Sequence, residues 1–405
     1  MVPIEEAQTY VLERCSRRAA ISTPVSEALG LVTATEVIAA ESIPPFANTA
    51  MDGFAVRSSD LADAPVELHI VETIAAGHNP KLTVGAGQAS RIMTGAPIPE
   101  GADAVIMVEK TSVEDDVVTV QAAVEKGNHI RPAGDDVEIG DLVFSAGTVL
   151  TAGHLGVLCS LGMNEIDVYP RLRVGVISTG DELVDDGGVL APGQIRDSNR
   201  RTLISLLTGD GFIALDLGLV PDDEAAIESA LLNGTDHCDA IITSGGVSMG
   251  DFDYVKAVLD RVGDMRWMQV AIKPAKPLAF GTIGHTPIFG LPGNPVSSMV
   301  SYELFGRPGL RAMMGFAQPL RTAIKGVAAE PLLRRPDGKT HYARVSASYE
   351  DGTVLVRSVA GQGSHMLTSM ARSNALAVLQ NGDGCDKGDV VDCLLYTSPS
   401  PRDRG

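Results

Sequence analysis

The stretch Asp239–Tyr254 reads DAIITSGGVSMGDFDY. Its β-branched run, Ile241–Thr243, predicts a buried strand. The small-residue loop 244–250 that follows predicts a tight turn, in which Gly245 and Gly246 let a ligand approach the backbone closely. A helical pattern begins at Asp253. A strand that feeds a helix through a glycine turn presents free N–H groups and the positive end of the helix dipole, an arrangement suited to phosphate or another anion. Asp251 and Asp253 suit an accompanying cation. Either is also placed to cap the helix; Asp253 is the preferred site acid and Asp251 stays open.

The same rhythm extends outward. Strands are expected at Leu172–Ser178, Phe212–Val220, Asp239–Thr243, Pro277–Gly281 and Pro287–Gly290. Helices are expected at Ser198–Leu207, from Pro221 to Leu232, at Asp253–Val262 and from Pro295 through Leu304. This alternation predicts a doubly wound, mostly parallel α/β domain over 169–318. Ligands of such folds sit beyond the carboxyl ends of the strands, which singles out loops 179–183, 244–251 and 291–298.

The flanking segments differ in character. Residues 1–43 read as helical. An apolar helix at His154–Leu161 suggests that 142–168 rejoin them as a discontinuous helical, linking domain. Pro44-Pro45 ends regular structure. Short strands at Gly53–Val56, Glu67–Thr73, Ala89–Ile92, Ala104–Met107 and Val117–Val120 make 44–141 a β insertion domain. Further strands over 319–395 predict a small β-barrel or sandwich. The last ten residues, 396–405 (YTSPSPRDRG), are polar and aperiodic and are set aside as a tail.

The 405-residue chain carries a formal charge of −19. That argues against wrapping a nucleic-acid backbone or docking on an anionic membrane, yet leaves room for a small anion held by local lysines or a metal ion. Five cysteines without a C-x-x-C pair fit a reduced cytoplasm rather than a disulfide framework or zinc knuckle. The start of the chain lacks the pattern of a signal peptide, and no apolar run reaches the ~18 residues of a membrane span. Walker A, Rossmann, G-x-S-x-G and H-E-x-x-H patterns are absent, which weakens hydrolase and dehydrogenase readings.

Several short motifs carry chemistry, each with a plainer explanation beside it. In Thr179–Leu183 (TGDEL), Asp181 and Glu182 at a strand end can hold a metal, or can form a polar turn; their place beside the central turn favours the first. In Ile272–Pro277 (IKPAKP), two lysines sit on a proline-stiffened, non-helical segment, suited to an anion; an ordinary surface loop has the same spacing. Leu291–Ser298 (LPGNPVSS) starts a helix at proline with hydroxyls in its first turn. Asp222 and Asp223 sit at a helix N-terminus, where capping accounts for them. The Asp52-Gly53 pair reads as a turn.

In order along the chain, NTAMDGFAV, MTGAPIPEGADAVIMVE, RPAGDDV, STGDEL, SGGVSMGDFDY, IKPAKP, LPGNPVSS and QGSHMLTSMARSNAL resemble the molybdopterin molybdenumtransferase family, MoeA and the E domain of gephyrin. The resemblance implies four domains in a homodimer with an intersubunit cleft, a molybdopterin-binding α/β domain and a C-terminal β-barrel. It implies insertion of molybdate into adenylated molybdopterin with release of AMP, assisted by Mg²⁺, and a molybdopterin adenylyltransferase as a possible partner. By motif, Asp52, Asp136, Glu182, Asp223 and Asp253 resemble the catalytic acids, with Glu182 and Asp253 at the metal; Asp222 competes with Asp223 for its role. Lys273 and Lys276 resemble the anion site. Gly245, Gly246 and Ser248 belong to the substrate turn, Pro292 and Pro295 shape its neighbour, and Thr94 and Ser364 resemble further cleft residues. The family's Pro-Gly-Lys-Pro reads Pro274-Ala275-Lys276-Pro277 here. Two rivals share the α/β domain: an adenylyltransferase using ATP, which needs no β domains, and a non-enzymatic molybdopterin-binding scaffold.

Overall fold

The computed structural model describes residues 1–247 and 254–397. Ser248, Asp251 and Asp253 therefore lie outside the described residues, as do 398–405. The chain forms two compact units.

One unit comprises Ser22–Leu29 and Thr33–Asp167. Its six-stranded sheet runs in the order Ala104–Met107, Gly53–Val56, Gln88–Ile92, Val66–Ile74, Val117–Val120, Thr111–Glu114. Phe54, Ala55 and Val56 are fully buried, so this strand is central to the core. Gly53 has no positive φ, contrary to the turn expected from Asp52-Gly53. It is glycine because a Cβ would lie 1.9 Å from the Ile106 carbonyl oxygen of the neighbouring strand. Asp52 thereby stands at the mouth of a fixed strand.

The other unit comprises Met1–Ile21, Gly30–Val32 and the chain from Val168. The helical reading of 1–43 gives an α-helix at Ile4–Arg14 (α1) and a single 3-10 turn at Val25–Glu27. Beyond α1, Pro24 and the β-branched residues Ile21, Val32, Thr33, Val37 and Ile38 favour short strands. The apolar side of α1 is buried, and Tyr10 meets Phe280 edge-on with ring centroids 6.0 Å apart.

Six strands build the α/β sheet: β1 (Arg173–Thr179), β2 (Ile213–Val220), β3 (Ala240–Ser244), β4 (Asp264–Gln269), β5 (Pro277–Ile283) and β6 (Thr286–Leu291). Their order is β2-β1-β3-β6-β5-β4, and β5 alone runs against the rest. All five residues of β3 are buried, as a strand covered on both faces requires. Helices α2 (Asn199–Gly209), α3 (Glu224–Thr235), α4 (Tyr254–Val262) and α5 (Pro295–Ser301) flank it. Ile227 and Leu231 of α3, with Val258 and Leu259 of α4, pack on Ile177, Ile241 and Ile288. Because β2 and β3 lie on opposite sides of β1, the chain reverses its direction of travel there, and the ends of β1 and β3 open a crevice.

Helix α5 continues through a π-helical turn, Tyr302–Gly306, into α6 (Arg307–Met313). Pro308 has no N–H to give the Leu304 carbonyl; Gln8 Nε2 of α1 supplies a donor at 3.1 Å. A barrel follows: β7 (Ala323–Ala328), β8 (Thr340–Glu350), β9 (Thr353–Ser358), β10 (Ala375–Leu379) and β11 (Val390–Leu395), closed in the order β8-β9-β7-β11-β10-β8. The two-residue strand Ile272–Lys273 adds to it, pairing Ile272 with Thr340 and Lys273 with His341. Tyr396, expected in the tail, belongs to this barrel: its hydroxyl lies 2.5 Å from Ser373 Oγ and its N–H donates to Asn374 O at 3.1 Å.

Candidate active site

Three turns meet beyond the carboxyl ends of β1, β3 and β6. Gly245 (φ +99°) lies under β1, where a Cβ would stand 3.2 Å from Thr179 O. Gly246 (φ +66°) leaves no room for one, since Val255 Cβ is 2.3 Å from that position. Both glycines are thus required by conformation and by space. The Gly245 N–H donates to Leu291 O at 3.1 Å. Asn199, at the start of α2, donates through Nδ2 to Ser244 Oγ at 2.8 Å and to Gly293 O at 2.6 Å. Nothing in its local sequence pattern marks Asn199 as a site residue.

The two acids before α3 separate into different roles. Asp223 is the N-cap, its Oδ1 accepting the Ala226 N–H at 2.8 Å. Asp222 turns back to the loop after β1: its N–H donates to Asp181 Oδ1 at 3.1 Å, and the Asp181 N–H donates to Asp222 Oδ2 at 3.4 Å. Burial, then the charges of Asp181 and Glu182, raises the pKa of Asp222. Such crowding of carboxyls fits a cation. Among the described residues no group of three His, Cys, Asp or Glu side chains encloses a metal by itself. Asp223→Ala is expected to cost about 1 kcal/mol of stability through the lost cap. Asp222→Asn should stabilise the fold at neutral pH. A carboxyl whose folded pKa is raised supports the fold below its unfolded pKa and loses that support as pH rises through the folded value. Urea titrations at pH 7 and in mild acid check both signs: the benefit of Asp222→Asn should shrink in acid.

The lysines stand on the barrel side of the same unit. Between Lys273 and Lys276, Pro274 and Ala275 are buried, and Ala275 holds φ +70°, a left-handed conformation that suits glycine better. The loop edges a cavity of about 420 Å³ that Lys339, Ser297 and Ser364 also line. No carboxylate is among its described lining. Arg344, fully buried, donates to Gly361 O at 3.0 Å and Gly363 O at 3.2 Å, fixing the loop that carries Ser364. The Val296 N–H donates to Ser364 O at 3.1 Å. Helix α5 joins the cavity to the crevice: its entry turn, with Pro292 buried and Pro295 at the first helical position, lies beside Gly245, and its first turn lends Ser297 to the cavity. Ser297 and Lys339 were not legible as partners of the lysine pair, because they come from separate elements.

Asp52, Thr94 and Asp136 belong to the other unit. The Thr94 N–H and hydroxyl both donate to Asp52 Oδ1 at 2.7 Å. These two bonds, aided by the charge of Arg91, hold the exposed Asp52 carboxyl below the usual carboxylate range. Asp136 is exposed, its N–H bonded to Ile43 O at 2.9 Å. Thr94→Val removes one donor, so the pKa of Asp52 should rise. A depressed carboxyl supports the fold above its unfolded pKa and loses that support as pH falls through the folded value; the variant should lose it at higher pH. Carboxyl chemical shifts followed through an acid titration check the direction.

The chain matches known proteins along nearly its whole length. The model of the MoeA N-terminal region (domain I and II) matches residues 2–162, that of a probable molybdopterin binding domain 175–312, and that of the MoeA C-terminal region (domain IV) 326–396. A molybdopterin molybdenumtransferase of Haemophilus influenzae is 38% identical over 387 residues, covering 95% of this chain and 96% of the relative. Molybdopterin molybdenumtransferase 2 of Mycobacterium tuberculosis is 39% identical, with 93% and 95% covered. The crystal structure of a molybdopterin biosynthesis MoeA protein from Pyrococcus horikoshii superposes with a TM-score of 0.82 at 29% identity, over 98% of this chain and all of that one. Matched from its N-terminal region through the α/β sheet to the barrel, this chain belongs to the MoeA family of molybdopterin molybdenumtransferases.

Proposed function

We propose that this protein inserts molybdenum into adenylated molybdopterin, taking molybdate as substrate, releasing AMP and forming the molybdenum cofactor. The observation that carries this reading is the lysine cavity, which helix α5 joins to a glycine crevice in the region matched by the molybdopterin-binding model. Molybdate and phosphate are both oxyanions, and a chain of net charge −19 must gather its positive charge locally to hold them.

In this reading Gly245, Gly246 and Ser248 seat the phosphate and adenylate, with Pro292 and Pro295 shaping the turn beside them. Lys273, Lys276 and Ser364 hold molybdate. A molybdate oxygen attacks the molybdopterin-side phosphorus, the phosphoanhydride P–O bond breaks and AMP leaves. The two dithiolene thiols then bind molybdenum, two molybdate oxygens depart as water with the thiol protons, and water cleaves the transient P–O–Mo link. Glu182 and Asp253, helped by Asp222, would hold Mg²⁺, which supplies Lewis-acid polarisation of that bond. Asp223 serves first as the cap of α3. Asp52, Thr94 and Asp136 serve the cleft of a partner chain in a cytoplasmic homodimer, and a separate adenylyltransferase supplies the substrate. Among the described residues no helix is long and apolar enough to cross a membrane.

The relatives match the barrel as well as the sheet, which favours insertion over an adenylyltransferase built on the sheet alone. The functional test is AMP release from adenylated molybdopterin with and without molybdate. For the metal, millimolar Mg²⁺ should raise the melting temperature of the wild type, as any ligand of the native state does. The shift should vanish in the double variant Glu182→Gln, Asp222→Asn. An equal shift in both proteins rejects these residues as ligands.

A further inference from the structure

We propose that Asn199 is a positioning residue for this reaction, whose side-chain amide holds the two glycine turns of the crevice as one rigid cradle. Strands β3 and β6 pair in register up to Ser244 and Leu291. Beyond that rung the turns 244–247 and 291–294 leave the ladder, tied by the Gly245 N–H to Leu291 O bond. They approach closely: a Cβ on Gly293 would lie 3.7 Å from Gly245 Cα. Asn199 Nδ2 spans them, giving one N–H to Ser244 Oγ and the other to Gly293 O. A primary amide carries two donors on one planar nitrogen, so a shift of either turn strains or breaks a bond to the other.

The strut is itself anchored. Two residues earlier, the buried Asp197 accepts from Ser178 Oγ of β1 at 3.1 Å, from the Arg200 N–H at 3.2 Å and from Arg200 Nε at 2.9 Å. The segment 197–200 therefore reaches the ends of β1 and β3 and the turn after β6. It is not part of the lining of the cavity that Lys273, Lys276 and Ser364 edge. Asn199 thus sets the geometry of the crevice directly and reaches the lysine cavity only at one remove, through the entry turn of α5.

This inference rests on the molybdenum-insertion reading, and the experiment separates the two. Steady-state AMP release is measured for the wild type, Asn199→Ala and the isosteric Asn199→Asp, varying adenylated molybdopterin and molybdate separately. Amide hydrogen exchange over the peptide that contains residues 244–247 is followed in parallel. Both variants should raise KM for adenylated molybdopterin about tenfold, the scale of two lost hydrogen bonds, and change KM for molybdate far less. Exchange in that peptide should accelerate. Ser244→Ala removes one bond and should act non-additively with Asn199→Ala. Equal changes in both KM values, or unchanged exchange, overturns the positioning role. If the wild type releases no AMP, the functional reading fails, and the exchange data still decide whether Asn199 couples the turns.

Discussion

Replacing Arg200 by methionine is expected to cost about 3–5 kcal/mol of stability, the range for breaking a buried ion pair from one side. Arg200 is 2% exposed and Asp197 6%. Burial alone would disfavour the charged guanidinium, but hydrogen bonds to Asp197, Asp216 and Asp185 outweigh it and hold the group firmly protonated. Its Nε donates to Asp197 Oδ2 at 2.9 Å, and its two terminal nitrogens reach Asp216 and Asp185. The three acids would not suffer equally. Asp185 keeps Arg201, and both it and Asp216 are partly exposed and can turn to water. Asp197 cannot, and would keep only the Ser178 hydroxyl and a backbone N–H. Most of the loss should therefore trace to Asp197, and Asp197→Asn added to Arg200→Met should recover part of it. Lysine should not rescue, because a single ammonium lacks the fork that reaches three carboxylates. Urea unfolding of the wild type, Arg200→Met, the double variant and Arg200→Lys decides the matter; a loss below about 1 kcal/mol in Arg200→Met, the scale of an exposed pair, rejects the buried-pair reading.

Lys276→Ala is expected to lower the rate of AMP release at limiting molybdate by about two orders of magnitude, the scale for removing one preorganised donor to a reacting anion. Lys276 is exposed at the rim of the cavity, and no ion pair to it is found among the described residues. Its removal should leave the melting temperature in place. Pro274, Ala275 and Pro277 flank it, so the ammonium should meet an anion without reordering the loop. Arginine should restore part of the rate, since charge is kept while shape is not. A Lys276→Ala enzyme with unchanged dependence on molybdate would remove this lysine from the anion site.

Strands with continuous β-branched or apolar runs were legible in the sequence: Gly53–Val56, Ala104–Met107, Val117–Val120 and β3 all form where the pattern puts them. Strand β4 was not, because Asp264–Gln269 mixes charges with Met and Trp and lies half-exposed at the sheet edge. The π-helical turn after α5 was hidden too, since it depends on Pro308 and on a donor from Gln8, far off in sequence. The lysine pair stood out through the prolines that stiffen it. The motif put Asp223 first, with Asp222 as its competitor; the structure sets Asp223 on the Ala226 N–H and Asp222 beside Asp181. Asn199 and Arg200 gave no local signal, because each acts through residues from distant strands and turns.

The most direct test is AMP release from adenylated molybdopterin by the purified chain, with and without molybdate. If the chain inserts molybdenum, release requires molybdate and proceeds in step with formation of molybdenum cofactor. Release indifferent to molybdate, or formation of adenylated molybdopterin from ATP by this chain, would contradict it.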